Sequence, residues 1–154
     1  MDVNIEAAIR AGLAGWAGMT GLITIGRRSG MTRMDITNIE GSLFAEPNSS
    51  AARTIGFFTH LGMSLAIAYA YAQGFKLLGL RPSAKTGALG GLIHWVIAVG
   101  VTGLATRKHP KRDRLAMPGF GGAALGPQSA LGFLLGHLVY GTLVGWQYGQ
   151  GDDE

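Results

Sequence analysis

Charged residues divide this 154-residue chain into four apolar stretches, and those stretches constrain its fold more than any other feature. The first, residues 11–26, lies between Arg10 and Arg27. It reaches spanning length when residues 7–10 add a turn and Arg10 snorkels to the interface. The others are residues 54–75, 86–106 and 128–149. Each makes a helix of roughly 30 Å, the thickness of a bilayer core. None carries the charged face of a soluble amphipathic helix, and none alternates strictly as a barrel strand does. The expectation is an all-α, four-helix transmembrane bundle in one membrane domain, residues 1–154, with helices near 7–27, 54–76, 85–106 and 128–149.

Composition agrees. Apolar residues make up 47% of the chain and charged residues 14%, the latter roughly half the share in soluble domains. The 26 glycines have no collagen period and suit membrane helices. The absence of cysteine excludes disulfides, thiolate metal sites and cysteine nucleophiles. Basic residues gather in two connections, Arg27, Arg28, Arg33 and Arg53 in one, Arg107, Lys108, Lys111, Arg112 and Arg114 in the other. Because they flank apolar runs, they read as membrane topology and not as a nucleic-acid surface. The positive-inside rule puts both connections in the cytoplasm and both termini outside. Asp2 and Glu6 stand where a signal peptide would be basic, and the tail Asp152-Asp153-Glu154 is acidic.

An internal repeat is visible. HLGMSLAIAYAYAQG at 60–74 aligns with HLVYGTLVGWQYGQG at 137–151, matching His60/His137, Tyr71/Tyr148, Gln73/Gln150 and Gly74/Gly151. In the first and third helices Gly12/Gly91, Trp16/Trp95 and Gly21/Gly100 match. Two tandem hairpins of like orientation would be related by a pseudo-two-fold axis along the membrane normal, with His60 and His137 as symmetry mates.

Three of the four histidines fall within spans. From the cytoplasmic helix ends, His60 is about 9 Å deep, His137 about 14 Å and His94 about 18 Å. Intramembrane ionisable residues point to function, and imidazole is a common metal and haem ligand. His60, His137 and His94 are therefore the candidate cofactor-binding residues, for haem, a pigment or a metal. The competing reading is interhelical hydrogen bonding to Ser64, Tyr71, Tyr140 or Tyr148. His109, before Pro110 among basic residues, reads as an interfacial loop residue. Glycines at 12, 15, 18 and 21, at 132 and 136, and at 141, 145 and 149 form small-residue stripes for close helix contact. Those stripes serve either the bundle itself, other membrane subunits or a homo-oligomer.

The connections carry further signals. Met34, Ile39, Leu43 and Phe44 suggest one apolar face of a short interfacial helix. Asp35 and Glu40 read as offsets to nearby arginines such as Arg33, or as the top of a cation entrance. The glycine-rich second half of the third connection is expected to pack on protein, since irregular backbone facing lipid is costly.

The stretches MTRMDITNIEGSLF, KHP and GHLVYGTLVGWQYG, with His60, resemble a bacterial family of small four-helix membrane proteins. The most specific part is HLVYGTLVGWQYG in the closing helix. The resemblance covers most of the chain and implies a polytopic location in a bacterial inner membrane, without supplying an activity. No acid–base pair or nucleophile–base set assembles, so catalysis is not the leading expectation. The leading reading is a non-catalytic accessory or scaffold subunit of a larger respiratory or photosynthetic membrane complex. Alternatives are a histidine-ligated haem, pigment or metal protein in electron transfer, and a small transporter or channel.

Overall fold

Each apolar stretch becomes one helix, and local signals set its ends. The structure, a computed structural model, describes residues 3–151; Asp2 and the acidic tail 152–154 lie outside the described residues. Helix α1 (Ile5–Arg28) begins at Asn4, whose side chain accepts from the Ala7 N–H, and ends on Arg27 and Arg28. The cap satisfies an otherwise orphan donor, and the arginines complement the negative end of the helix dipole. Arg10 is not alone at the interface, because Glu6 pairs with it one turn earlier at 3.1 Å. A short helix α2 (Ile36–Gly41) follows. Helix α3 (Ser50–Leu77) is capped by Ser49, so it starts four residues before Thr54. His60 therefore lies ten residues in, about 15 Å along the axis. Helix α4 (Ala84–Lys108) is capped by Ser83 and stops before Pro110. Helix α5 (Pro127–Gln150) opens on a proline at its first position. No strand occurs among the described residues.

All four long helices are long and apolar enough to cross a membrane, and the chain has the architecture of a multi-pass membrane protein. Both expected hairpins form, α1 against α3 and α4 against α5. Helix α5 is central, since it also lies along α1. An exact two-fold would place α3 against α4 as closely as α1 lies against α5. Those two helices instead diverge and leave a groove between them.

Glycine decides which helices touch. A Cβ on Gly87 would strike the Gly141 carbonyl oxygen, and one on Gly141 would strike the Gly87 oxygen and lie 2.7 Å from the Gly91 backbone. A Cβ on Gly91 would lie 2.6 Å from the His137 carbonyl oxygen. These glycines let α4 and α5 meet backbone to backbone, where dispersion replaces the missing hydrophobic drive. On the other side of α5, Gly15 receives Tyr140 and Val144, while Gly12 receives Leu65 and Ala68 of α3. Ala7, Ala11, Ala68, Ala72, Tyr140 and Val144 complete this core. Most of both stripes thus serves the bundle, while Gly21 and Gly132 face open space.

Helix α2 docks on α3 by the same means, with Gly41 against the Ala52 carbonyl and Gly56 against the Thr37 carbonyl. The expected single apolar face is split. Met34 and Ile39 are buried, whereas Leu43 and Phe44 are exposed. The reason is that α2 ends at Gly41, and the turn after it faces those two side chains outward. Asp35 caps α2 and pairs with Arg27 at 2.6 Å, not with Arg33.

The two basic connections interlock. Glu46 reaches Arg114 at 2.9 Å and Lys111 at 3.6 Å, and Lys111 Nζ donates to the Ala45 carbonyl. His109 is buried instead of interfacial. Its Nδ1 accepts from the Lys111 N–H, so its Nε2 carries the proton and donates to the Ile39 carbonyl at 3.0 Å. The hydrogen bond and charge of Arg114, then the charge of Lys111, hold the Glu46 carboxyl below its ordinary range. A depressed carboxyl adds stability above its unfolded pKa and loses it as pH falls through the folded one. Glu46 is exposed, so the contribution is small. Glu46→Gln is expected to cost little at neutral pH and to match the parent in melts below pH 3; a constant difference down to that pH would contradict the pairing.

The glycine-rich half of the second basic connection packs on α4 as expected. Gly119 and Gly121 donate to the Thr106 and Thr102 hydroxyls at 2.9 and 3.0 Å, and Phe120 covers Gly103.

Candidate functional site

The divergence of α3 and α4 opens a groove of about 920 Å³ with largely apolar walls. Along α3, His60, Ser64, Ile67 and Tyr71 recur at helical spacing and line it. His94 lines it from α4, His137 and Tyr140 from α5, and Glu40 closes the end beneath α2. All three histidines from the transmembrane spans thus reach one cavity.

They do not pair as the repeat suggests. His60 Nδ1 meets Glu40 Oε1 at 3.3 Å. His137 meets His94, with ring centroids 4.6 Å apart, edge to face. His137 Nδ1 donates to the Phe133 carbonyl one turn earlier at 2.7 Å, which leaves the lone pair of the neutral ring on Nε2. Because His94 and His137 touch directly, a macrocycle does not fit between this pair. Among the described residues no three histidine or carboxylate groups converge as a metal-ligand set.

Two of the hydroxyls offered by sequence as histidine partners are used otherwise. Tyr140 donates to the Ser64 carbonyl, and Tyr148 accepts from the Asn4 N–H. Tyr71 crosses the groove and lays its ring over Gly90 of α4, where a Cβ would stand 2.7 Å from it. Its ring is edge-on to His94 at 6.1 Å and to Tyr140 at 5.9 Å. Among the described residues, four groove-lining polar atoms are buried without a protein partner: His60 Nε2, Glu40 Oε2, Tyr71 Oη and His94 Nδ1. His60 is only 7% exposed, so bulk water does not serve it. A buried polar atom left unpaired costs about 1–3 kcal/mol.

No family model, curated protein or solved structure matches the chain. The site must be read from its own chemistry.

Sequence did not assign two of its members to the groove. Glu40 had no local signal tying it to His60, because the link is made by the docking of α2. Tyr71 reads from sequence only as a possible histidine partner, although its spacing of 11, 7 and 4 residues from His60, Ser64 and Ile67 places it on the same helix face.

Proposed function

We propose that this multi-pass membrane protein holds one lipophilic molecule in the groove between α3 and α4. The observation supporting it is the set of unpaired buried polar atoms within an otherwise apolar cavity. Ligand pockets have this composition, with apolar walls and a few placed polar groups. A bare acyl chain would fill the space and leave each polar atom unpaired. The reading requires no catalytic step and belongs with the binding functions of His60, His94 and His137. A location in the bacterial inner membrane is part of the proposal, with both basic connections cytoplasmic. The interlocking of those connections on one face, with nine lysines and arginines between them, supports that orientation. Kinship with the bacterial four-helix family is also proposed, on the closing-helix motif.

A role as accessory subunit of a larger membrane complex is the second reading. One observation favours it: α4 has only 11% of its apolar span buried, against 44% for α5. That exposed face is available to a neighbouring subunit as well as to lipid.

Purification in mild detergent, followed by solvent extraction and mass spectrometry, tests the first reading. The expected result is a non-phospholipid lipophile retained at about one per chain. An absorbance spectrum of the same preparation shows whether it is a haem or pigment. Recovery of bulk phospholipid alone, in proportion to the detergent wash, would contradict the proposal.

A further inference from the structure

The Tyr71 end of the groove defines more than an apolar fit. Tyr71 Oη can donate a hydrogen bond and has no acceptor among the described residues. Across from it, His94 Nδ1 is also unpaired, and its proton can reside on either ring nitrogen. Tyr71, His94 and Tyr140 stand mutually edge to face, with centroids 5.5 to 6.1 Å apart. Ile67, Ile93 and Ile97 supply the apolar wall alongside. The charged residues lining the groove, Glu40 and Lys108, belong to its connection end. His60 marks that end and lies about 16 Å from Tyr71 along α3. The Tyr71 end therefore offers hydrogen bonds without a charge to match a phosphate headgroup.

We infer that the occupant is an uncharged lipophilic ring bearing a carbonyl oxygen, a membrane quinone by chemical class, with that oxygen accepting from Tyr71 and its ring set against His94. This assignment rests on the lipophile-binding reading above. Aromatic edges are positively polarised and suit the electron-rich carbonyl oxygen of such a ring. An apolar tail runs along the isoleucine wall toward the lipid. A saturated chain uses none of these features, and no lysine or arginine among the described residues lines the Tyr71 end to match a phospholipid headgroup.

Equilibrium binding to the full chain in phosphatidylcholine nanodiscs, corrected for partition into empty nanodiscs, tests the assignment. Two probes are used: a 1,4-benzoquinone carrying one isoprenoid unit, and benzene carrying the same tail. The quinone is expected to bind at one per chain, more tightly than the hydrocarbon. Tyr71→Phe removes only the hydroxyl and is expected to weaken quinone binding about tenfold, the equivalent of one hydrogen bond. It leaves hydrocarbon binding unchanged. His94→Phe provides an independent loss on the other side of the ring and is expected to act in the same direction. The thermal midpoint of each variant confirms folding. Equal binding of both probes, unaltered in both variants, overturns the carbonyl assignment and leaves the lipophile reading standing. Failure of both probes to bind the parent chain overturns both.

Discussion

Gly141→Ala is expected to destabilise the protein by about 3 kcal/mol, the upper part of the usual range for overpacking. The new methyl would enter the space of the Gly87 carbonyl oxygen and the Gly91 backbone. Neither can rotate away as a side chain would, so α4 and α5 must separate. Separation also loses the dispersion contacts of the whole crossing, a main source of association between apolar helices in lipid. Gly132→Ala on the same helix is the control, since a Cβ there meets nothing within 4 Å. That change is expected to be neutral, or stabilising by up to about 1 kcal/mol through helix propensity. Thermal unfolding of the two variants in one detergent compares them directly. Equal midpoints would mean that the crossing is not as close as described.

Gly56→Ala is expected to release α2 from α3 while leaving the four spans in place. Its Cβ would overlap the Thr37 carbonyl, again backbone. The overpacking cost, about 1–3 kcal/mol, falls on a six-residue helix that has little stability of its own. Undocking takes Glu40 away from His60 and opens the connection end of the groove. Limited proteolysis is expected to cut the first connection many times faster in Gly56→Ala than in Gly62→Ala, where a Cβ meets nothing within 4 Å on the same helix. Similar cleavage of both would show that α2 does not depend on this contact.

The four spans were legible because lipid allows few alternatives: an apolar run of about 20 residues between charges must be a helix. The ends shifted outward where Asn4 and Ser49 supplied caps beyond the apolar runs. The repeat predicted the two hairpins, and the glycine stripes predicted close contact. Which faces would meet was not legible, because Gly87 and Gly91 became the partners of Gly141 only through the crossing geometry. The three histidines were legible as residues within the spans, but not that all three would line one groove. Their pairing was not legible either, because sequence symmetry linked His60 to His137 while tertiary packing gave Glu40 to His60 and His94 to His137. The groove itself arises where the symmetry fails, at the α3–α4 boundary that has no counterpart to the α1–α5 contact.

The central claim is that this boundary holds a lipophile, and native mass spectrometry of the intact chain released from nanodiscs tests it most directly. Ala98 lines the groove from α4, and Ala98→Phe places a ring in the space assigned to the occupant. The parent chain is expected to carry one discrete adduct of a few hundred daltons or more that Ala98→Phe lacks, with both proteins equally folded. A parent without such an adduct, or an adduct retained undiminished in Ala98→Phe, would contradict the account.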